Sequence, residues 1–309
     1  LVDAFVTGIF AGDRKLISLR AALPRLASWE QDHGGILRGF LASRRLKSDQ
    51  NGSPENKKKS STLWSFREGL STLIEALGRN LDGSLHTRSP VSKIIPTLDG
   101  WKAWGEFQDQ HCFDAVALTG PPPDMAFLLE PIDRDLSGRF QSLPMNRVAV
   151  VCLGYHREDV PHPLNGFGFL APQGERRAVL GVQWCSSIFP GRAPEGKILL
   201  RAMCGGMDGA DVFSLSEEDL KDQVRRELGG VMRIRAAPIF TQIIKWPQAI
   251  PQYPVGHLET VRWIQNRLLR HPGLFLAGNA FHGVAMNDCV NYSSQQAEAI
   301  ATFLQRHSH

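Results

Sequence analysis

Near the C-terminus lies the stretch that most restricts what this chain can fold into. Leu274-Phe-Leu-Ala277 is an apolar run of strand length, Gly278 to Gly283 reads as a tight turn, and from Ala285 a helix runs on through Ile300 and Leu304. A buried strand, a glycine-bracketed turn and a long helix set the expected fold class at α/β, in the mixed α+β sense. The start of such a helix presents unpaired N–H groups and about half a positive charge to whatever precedes it. An anion, or a ring that becomes anionic on reduction, is stabilised there. Many α/β units end this way, so the feature alone assigns no ligand.

The rest of the chain supplies both periods. Leu16, Leu19, Leu23 and Leu26 recur at spacings of three and four, so the first forty residues read as helical. Lys47 to Ser61 has no apolar residue to bury and is expected to be a surface loop. From Trp64 a helix is expected, with Leu70, Leu73, Ile74, Leu77 and Leu81 on one face. Val91 to Leu98 and Trp101 to Phe107 flank Asp99-Gly100, a hairpin signal. A strand over Phe113 to Thr119 runs into Gly120-Pro121-Pro122-Pro123, where one structural unit is expected to end. Arg147 to Tyr155, Ala178 to Trp184, Lys197 to Cys204 and Pro238 to Ile244 read as strands. Ser216-Glu-Glu-Asp219 reads as an N-cap and acidic first turn, opening a helix that Gly229-Gly230 closes. Leu258 to Leu269 is a further amphipathic helix.

At 309 residues, two domains or an interleaved pair are expected, with ample core and no need of a covalent staple. The net charge of +4 makes no demand for nucleic acid. Five scattered cysteines, none spaced as CxxC, argue against a disulfide framework or a zinc site and read as buried thiols. No apolar run approaches the ~20 residues that span a bilayer, and no signal peptide is visible. GxSxG, HExxH and GxGxxG are all absent, and Cys204-Gly205-Gly206-Met-Asp-Gly209 leads into no helix at the right distance. His33, His162, His257 and His282 read as surface or hydrogen-bonded residues. Glu217 and Glu218 read as helix-start charges, and no metal site is expected.

Five stretches together carry a resemblance. They are Gly8-Ile-Phe-Ala-Gly-Asp13, Leu63-Trp-Ser-Phe-Arg-Glu-Gly-Leu70, Gly166-Phe-Gly-Phe-Leu170, Ile250-Pro-Gln-Tyr-Pro-Val-Gly-His257 and Leu276-Ala-Gly-Asn-Ala-Phe-His-Gly-Val-Ala-Met-Asn-Asp-Cys-Val290. In this order and spacing the chain resembles the protoporphyrinogen oxidases, a branch of the amine-oxidase-like FAD flavoproteins. The resemblance covers roughly the last two-thirds of such an enzyme. The part that would hold GxGxxG and an arginine for a substrate propionate is not in the sequence, which opens on Leu1 rather than Met. A chain read as a fragment in this way is expected to bind FAD poorly, if at all, and to be inactive alone.

The resemblance implies FAD-dependent, oxygen-dependent oxidation of protoporphyrinogen IX to protoporphyrin IX, yielding hydrogen peroxide, with no catalytic side chain. By it, Val91, Trp246, Val284, Ala285 and Met286 contact the cofactor. Phe167, Leu170 and Met203 sandwich the tetrapyrrole, and the Gly8 carbonyl meets a pyrrole N–H. Without it, the apolar three read as core packing. Asn279 stands where many relatives carry an acid, and receives no role. Residues 1–58 correspond to part of a helical membrane-docking domain, 62–120 and 273–309 to parts of a discontinuous FAD domain, and 121–272 to a substrate domain. Peripheral attachment follows, to a mitochondrial inner or a bacterial cytoplasmic membrane, with Lys57 to Lys59 near anionic lipid. A homodimer and a ferrochelatase are the protein partners the family suggests. Two alternatives stay open: a related amine oxidase or carotenoid desaturase, against which Gly166 to Leu170 and Ile250 to His257 argue, and a non-catalytic fragment that binds a tetrapyrrole.

Overall fold

The computed structural model describes residues 2–50, 63–81, 83–105, 111–175, 178–207 and 209–307. Helices α1 (Val2–Phe10), α2 (Leu19–Ala22), α3 (Pro24–His33) and α4 (Ile36–Gln50) open the chain, as the leucine spacing predicts. Ser18 caps α2 by accepting from Ala21 N–H, and Pro24 takes the first position of α3, where a missing N–H costs nothing. Gly34, at φ 69°, closes α3. Residues 47–50 continue α4 rather than starting a loop. The rest of that tract, Lys57 to Lys59 included, lies outside the described residues.

Helix α5 (Ser71–Asn80) begins later than Trp64, and none of its residues is buried. Leu70, Ile74 and Leu77 stand exposed, so the helical period is real but no described residue covers that face. Strands β1 (Val91–Thr97) and β2 (Gly100–Gly105) form the hairpin, with Thr97 opposite Gly100. The turn is therefore Leu98-Asp99, one place earlier than the Asp-Gly pair suggests. Gly100 belongs to the strand, at φ 145°, where a Cβ would strike Phe113 O. The strand expected over 113–119 is two. β3 (His111–Phe113) joins the hairpin, and β4 (Val116–Leu118) leaves it to pair in parallel with β10 (Leu274–Leu276).

The prolines at 121–123 end the run of β4 and start helix α6 (Pro122–Leu129). Met125, Ala126 and Leu129 of α6, Leu136 and Phe140 of α7 (Arg134–Gln141), and Val261 and Ile264 of α10 (His257–Leu268) share one core with Ile94, Trp101, Leu274 and Leu276. Packing thus runs across both the Pro121 and the 272 positions. Asp133 ties these helices together. Its carboxylate accepts from Leu136 N–H (3.1 Å), from Arg267 (2.6 and 3.1 Å) and meets His271 Nε2 at 2.9 Å. Burial alone would raise its pKa, but the hydrogen bonds from Arg267 and His271, with that from Leu136, hold the carboxyl well below the usual carboxylate range. Asp133→Ala is expected to lower stability by about 2 kcal/mol, from a lost cap and buried hydrogen bonds. A urea melt that moves by under about 0.5 kcal/mol, as for an ordinary surface change, would refute this.

A second core is built on a five-stranded antiparallel sheet, in the order β6 (Gly168–Leu170), β7 (Val179–Trp184), β8 (Lys197–Gly205), β5 (Val148–His156), β9 (Phe240–Trp246). Helix α8 (Cys185–Ile188) follows β7. Helix α9 (Glu217–Met232) covers one face, laying Leu220, Val224, Leu228 and Met232 on Ala149, Val151, Leu153, Leu200 and Ala202. Ser216 caps α9 as predicted. Gly229-Gly230 does not stop it, because packing of Leu228 and Met232 carries the helix on to Arg233 at φ 60°. On the other face Val148 packs with Ala11 and Leu180, and Val150 and Met203 lie against them. Helix α11 (Met286–His307) ends the fold. All five cysteines are free; Cys204 is buried, but Cys112 is exposed, contrary to the buried-thiol reading, because its short strand β3 has β2 on one side only.

Candidate functional site

Between α1 and the sheet opens an apolar cavity of about 340 Å³. Gly8 and Ile9 of α1, Phe167 to Leu170, Gly181 to Gln183, Met203 and Ile250 are among its walls. Two glycines make room for one side chain: a Cβ on Gly8 or Gly181 would lie 2.7 or 2.8 Å from Leu170 Cδ2. Gly168, at φ 146°, lets β6 lie against β7, since a Cβ there would strike Val182 O. No side chain lining the cavity is ionisable. The end of α1 adds polarity of one kind. Ala11 N–H donates to Thr7 O, and Phe10 O and Ala11 O accept from donors elsewhere, whereas the Gly8 and Ile9 carbonyls receive no hydrogen bond among the described residues. They are free acceptors at a helix C-terminus, beside the cavity.

The end of α1 is held by buried amides. Asn146, 1% exposed, donates through Nδ2 to Phe10 O (2.6 Å) and Ala11 O (3.3 Å), and its Oδ1 accepts from Ile250 N–H (2.9 Å). Gln252 Nε2 donates to Phe10 O (3.0 Å) and Ile250 O (3.1 Å). The strap 250–257 therefore fixes α1 against the sheet. It then reaches the turn before α11, where Tyr253 Oη donates to Asn279 O. His257 stacks on Tyr253 at 4.3 Å with both ring nitrogens buried, and the Ala280 backbone set against the ring is too poorly placed for a well-formed hydrogen bond. Burial pushes its pKa down to about 4, with His282 adding in the same direction.

The substrate set converges: Gly8, Phe167, Leu170 and Met203, from distant parts of the chain, line one cavity. The cofactor set does not. Val91, Trp246, Val284, Ala285 and Met286 are all absent from its walls. Trp246 shares its sheet face, because Trp246 pairs with Val148 and Met203 with Val150, and residues two apart on a strand point the same way. Val91 begins the edge strand of the hairpin, remote in the topology. Val284 to Met286 lead into α11 after Gly278 (φ 126°) and Gly283 (φ 83°). The first backbone bond into that helix is Cys289 N–H to Ala285 O, 3.1 Å. The N–H groups of Met286, Asn287 and Asp288 are thus left without backbone partners, a row of donors that suits a flavin ring edge. Asp288 places one carboxylate in the same first turn. What connects this turn to the cavity is the strap, from Ile250 in the wall to Tyr253 on Asn279.

Sequence reasoning missed Asn146, Gln252, Tyr253 and His257 as a supporting network. The stretch Ile250 to His257 marks three of them. Asn146 has no local signal, since its partners are backbone atoms far along the chain.

A two-core fold with an apolar cavity on one side of an antiparallel sheet and a glycine turn feeding a long helix defines a class, and comparison with known proteins agrees. Residues 1–301 match the family model described as flavin containing amine oxidoreductase, and the chain belongs to that family of flavin enzymes. It is similar to protoporphyrinogen oxidase 1, chloroplastic, of Arabidopsis thaliana, at 31% identity over 100% of the chain and 61% of the relative. It is also similar to coproporphyrinogen III oxidase of Bacillus subtilis, at 26% identity over 98% of the chain and 64% of the relative. Among solved structures, a candidate protoporphyrinogen oxidase from Exiguobacterium sp. 255-15 superposes with a TM-score of 0.80 at 24% identity, covering 97% of this chain and 62% of that one. That likeness shows the fold, and the mixed α/β class expected from the sequence stands. The chain spans roughly three fifths of the length of the curated relatives it matches.

Proposed function

We propose that the chain forms the tetrapyrrole-binding side of an oxidase that converts protoporphyrinogen IX into protoporphyrin IX, dioxygen being reduced to hydrogen peroxide. One observation carries this reading: Gly8, Phe167, Leu170 and Met203 line a single cavity whose walls hold no ionisable side chain. Apolar walls bury the faces of a flat macrocycle at about 25 cal/mol per Å² and exclude water. The free Gly8 and Ile9 carbonyls accept pyrrole N–H groups and so orient the ring. FAD, when bound, supplies the two-electron acceptor, so the chain needs no acid or base at the reacting carbon. Val284 to Met286 would hold it with their backbone, and Trp246 and Val91 are the further contacts we assign. The loss of six electrons per porphyrin requires three dioxygen and yields three hydrogen peroxide.

The cavity also favours one relative's chemistry over others. An amine substrate calls for a carboxylate, and the walls have none. Coproporphyrinogen brings more propionates than protoporphyrinogen, and the walls have no cation to meet them. We further assign residues 62–120 and 273–309 to the cofactor side, with α6, α7 and α10 joining their core. Peripheral membrane attachment is proposed through α4, which exposes Ile36, Leu37, Phe40 and Leu41 on neighbouring positions. No helix among the described residues is long and apolar enough to cross a membrane.

The test is binding of protoporphyrin IX to the chain, followed by porphyrin fluorescence. Saturable binding is expected, and Met203→Asp should weaken it at least about tenfold, some 1.4 kcal/mol, because a carboxylate must then be buried against the ring. Equal affinity of wild type and variant, with unchanged circular dichroism, would sink the assignment. Coproporphyrin III binding more tightly than protoporphyrin IX would shift the substrate to the more carboxylated ring.

A further inference from the structure

On the opposite face of the five-stranded sheet lies a second cavity, about 330 Å³, between the end of β5 and the last turns of α9. The two are separated by the sheet itself. Val150 and Met203 point toward the first cavity, and Tyr155, an odd number of places along β5, points to the α9 side with Leu153 and Val151. Three arginines line this second cavity, Arg225, Arg226 and Arg235, against one carboxylate, Asp222.

The arginines are poorly answered. Arg225 Nη1 meets Asp222 Oδ1 at 3.4 Å, long for a charge-assisted hydrogen bond. Arg225 Nε is buried and has no partner at all. The exposed side chains of Arg226 and Arg235 make no ion pair or hydrogen bond among the described residues. A buried guanidinium N–H without an acceptor costs free energy that folding alone would not retain. An anion that offers several oxygens in a plane or tetrahedron to forked donors would satisfy it. Gly229 and Ile234 also line the cavity, and Tyr155 adds a phenol to the wall.

We propose that this cavity is a binding site for a phosphate group, held by Arg225, Arg226 and Arg235. The carboxylate of Asp222 positions Arg225 and does not touch the ligand. A phosphate group is a better match than a single carboxylate, because three arginines line the cavity and a phosphate has oxygens for each. The volume exceeds that of an inorganic ion, so an organic body attached to the phosphate fits beside Tyr155 and Ile234.

The experiment titrates the chain with inorganic phosphate and, separately, with glycerol 3-phosphate, at constant ionic strength set by sodium chloride. Binding is read by calorimetry and by the rise in melting temperature. Both probes should bind above the chloride background, and the tighter one identifies whether a free ion or an ester is the source. Arg235→Gln, at an exposed position, should weaken binding at least about tenfold, as should Arg225→Gln. Arg262→Gln, an exposed arginine on α10 paired with Glu259, should leave it unchanged and controls for loss of net charge. Arg225 is partly buried, so if its variant fails to fold Arg235→Gln decides alone. No phosphate binding beyond chloride, or a loss no greater in Arg235→Gln than in Arg262→Gln, overturns the proposal.

Discussion

Asn146→Ala is expected to lower stability by about 3 kcal/mol and to weaken porphyrin binding along with it. The carboxamide is buried and makes three hydrogen bonds, one accepted from Ile250 N–H and two donated to the carbonyls that end α1. Phe10 O keeps Gln252 as a donor and Ala11 O keeps Met207 N–H, but Ile250 N–H is left with nothing. An orphaned buried donor and a small void together account for the magnitude. The effect should reach the cavity, because α1 supplies Gly8 and Ile9 and the strap supplies Ile250. Asn146→Asp is the sharper control. It keeps the acceptor for Ile250 but sets a carboxylate against two carbonyls, so it should be no better than alanine. Urea unfolding and porphyrin titration measure the two consequences. A stability loss under about 1 kcal/mol would show that the strap and α1 hold each other by other means.

The second large effect is a loss of stability between pH 6.5 and pH 4, worth about 3 kcal/mol and traceable to His257. His257 is 2% exposed, and burial lowers its pKa from 6.5 to about 4. Below pH 6.5 the unfolded chain takes up a proton that the folded chain refuses. Stability therefore falls with falling pH until the folded pKa is reached, and changes no further from this group below it. Asp133 behaves in the opposite sense and in a different window. Its folded pKa is depressed, so its contribution is complete above the unfolded value of 3.8 and is lost only as pH drops below that. His257→Phe, which preserves the stack on Tyr253, should flatten the curve between pH 6.5 and 4 while leaving the steeper fall below pH 4. An unchanged curve in the variant would assign the upper window to another group. His282, whose pKa burial also lowers, is the first to examine.

Much of the fold is written locally. The alternation of Val148 to Tyr155 and of Lys197 to Cys204, the leucine spacing near the N-terminus and the Ser216 cap each predict the element that forms. Local signals fail where another part of the chain decides. Asp99-Gly100 has the composition of a turn, yet Gly100 is required in the strand by the approach of Phe113 O. Pro121 to Pro123 have the composition of a break, yet they open a helix whose apolar side completes the core of β4 and β10. For the site the division is similar. Resemblance picks out Gly8, Phe167 and Leu170 within its short motifs and Met203 outside them, but a string of residues holds no distances, and nothing in it distinguishes a cavity wall from core packing.

By itself, then, the amino-acid order determined the secondary-structure periods and the mixed α/β class, which depend on spacing within single segments, and membership of a flavin family, which depends on the order of short motifs along the chain. Only the tertiary structure decided that Gly8, Phe167, Leu170 and Met203 line one cavity, that Val91 and Val284 to Met286 are not among its walls, and that three arginines line a cavity on the far side of the sheet. The physical reason is that strand order, sheet face and the burial of Asn146 and Arg225 are set by contacts between segments distant in the chain. Their free energy has no counterpart in any local window.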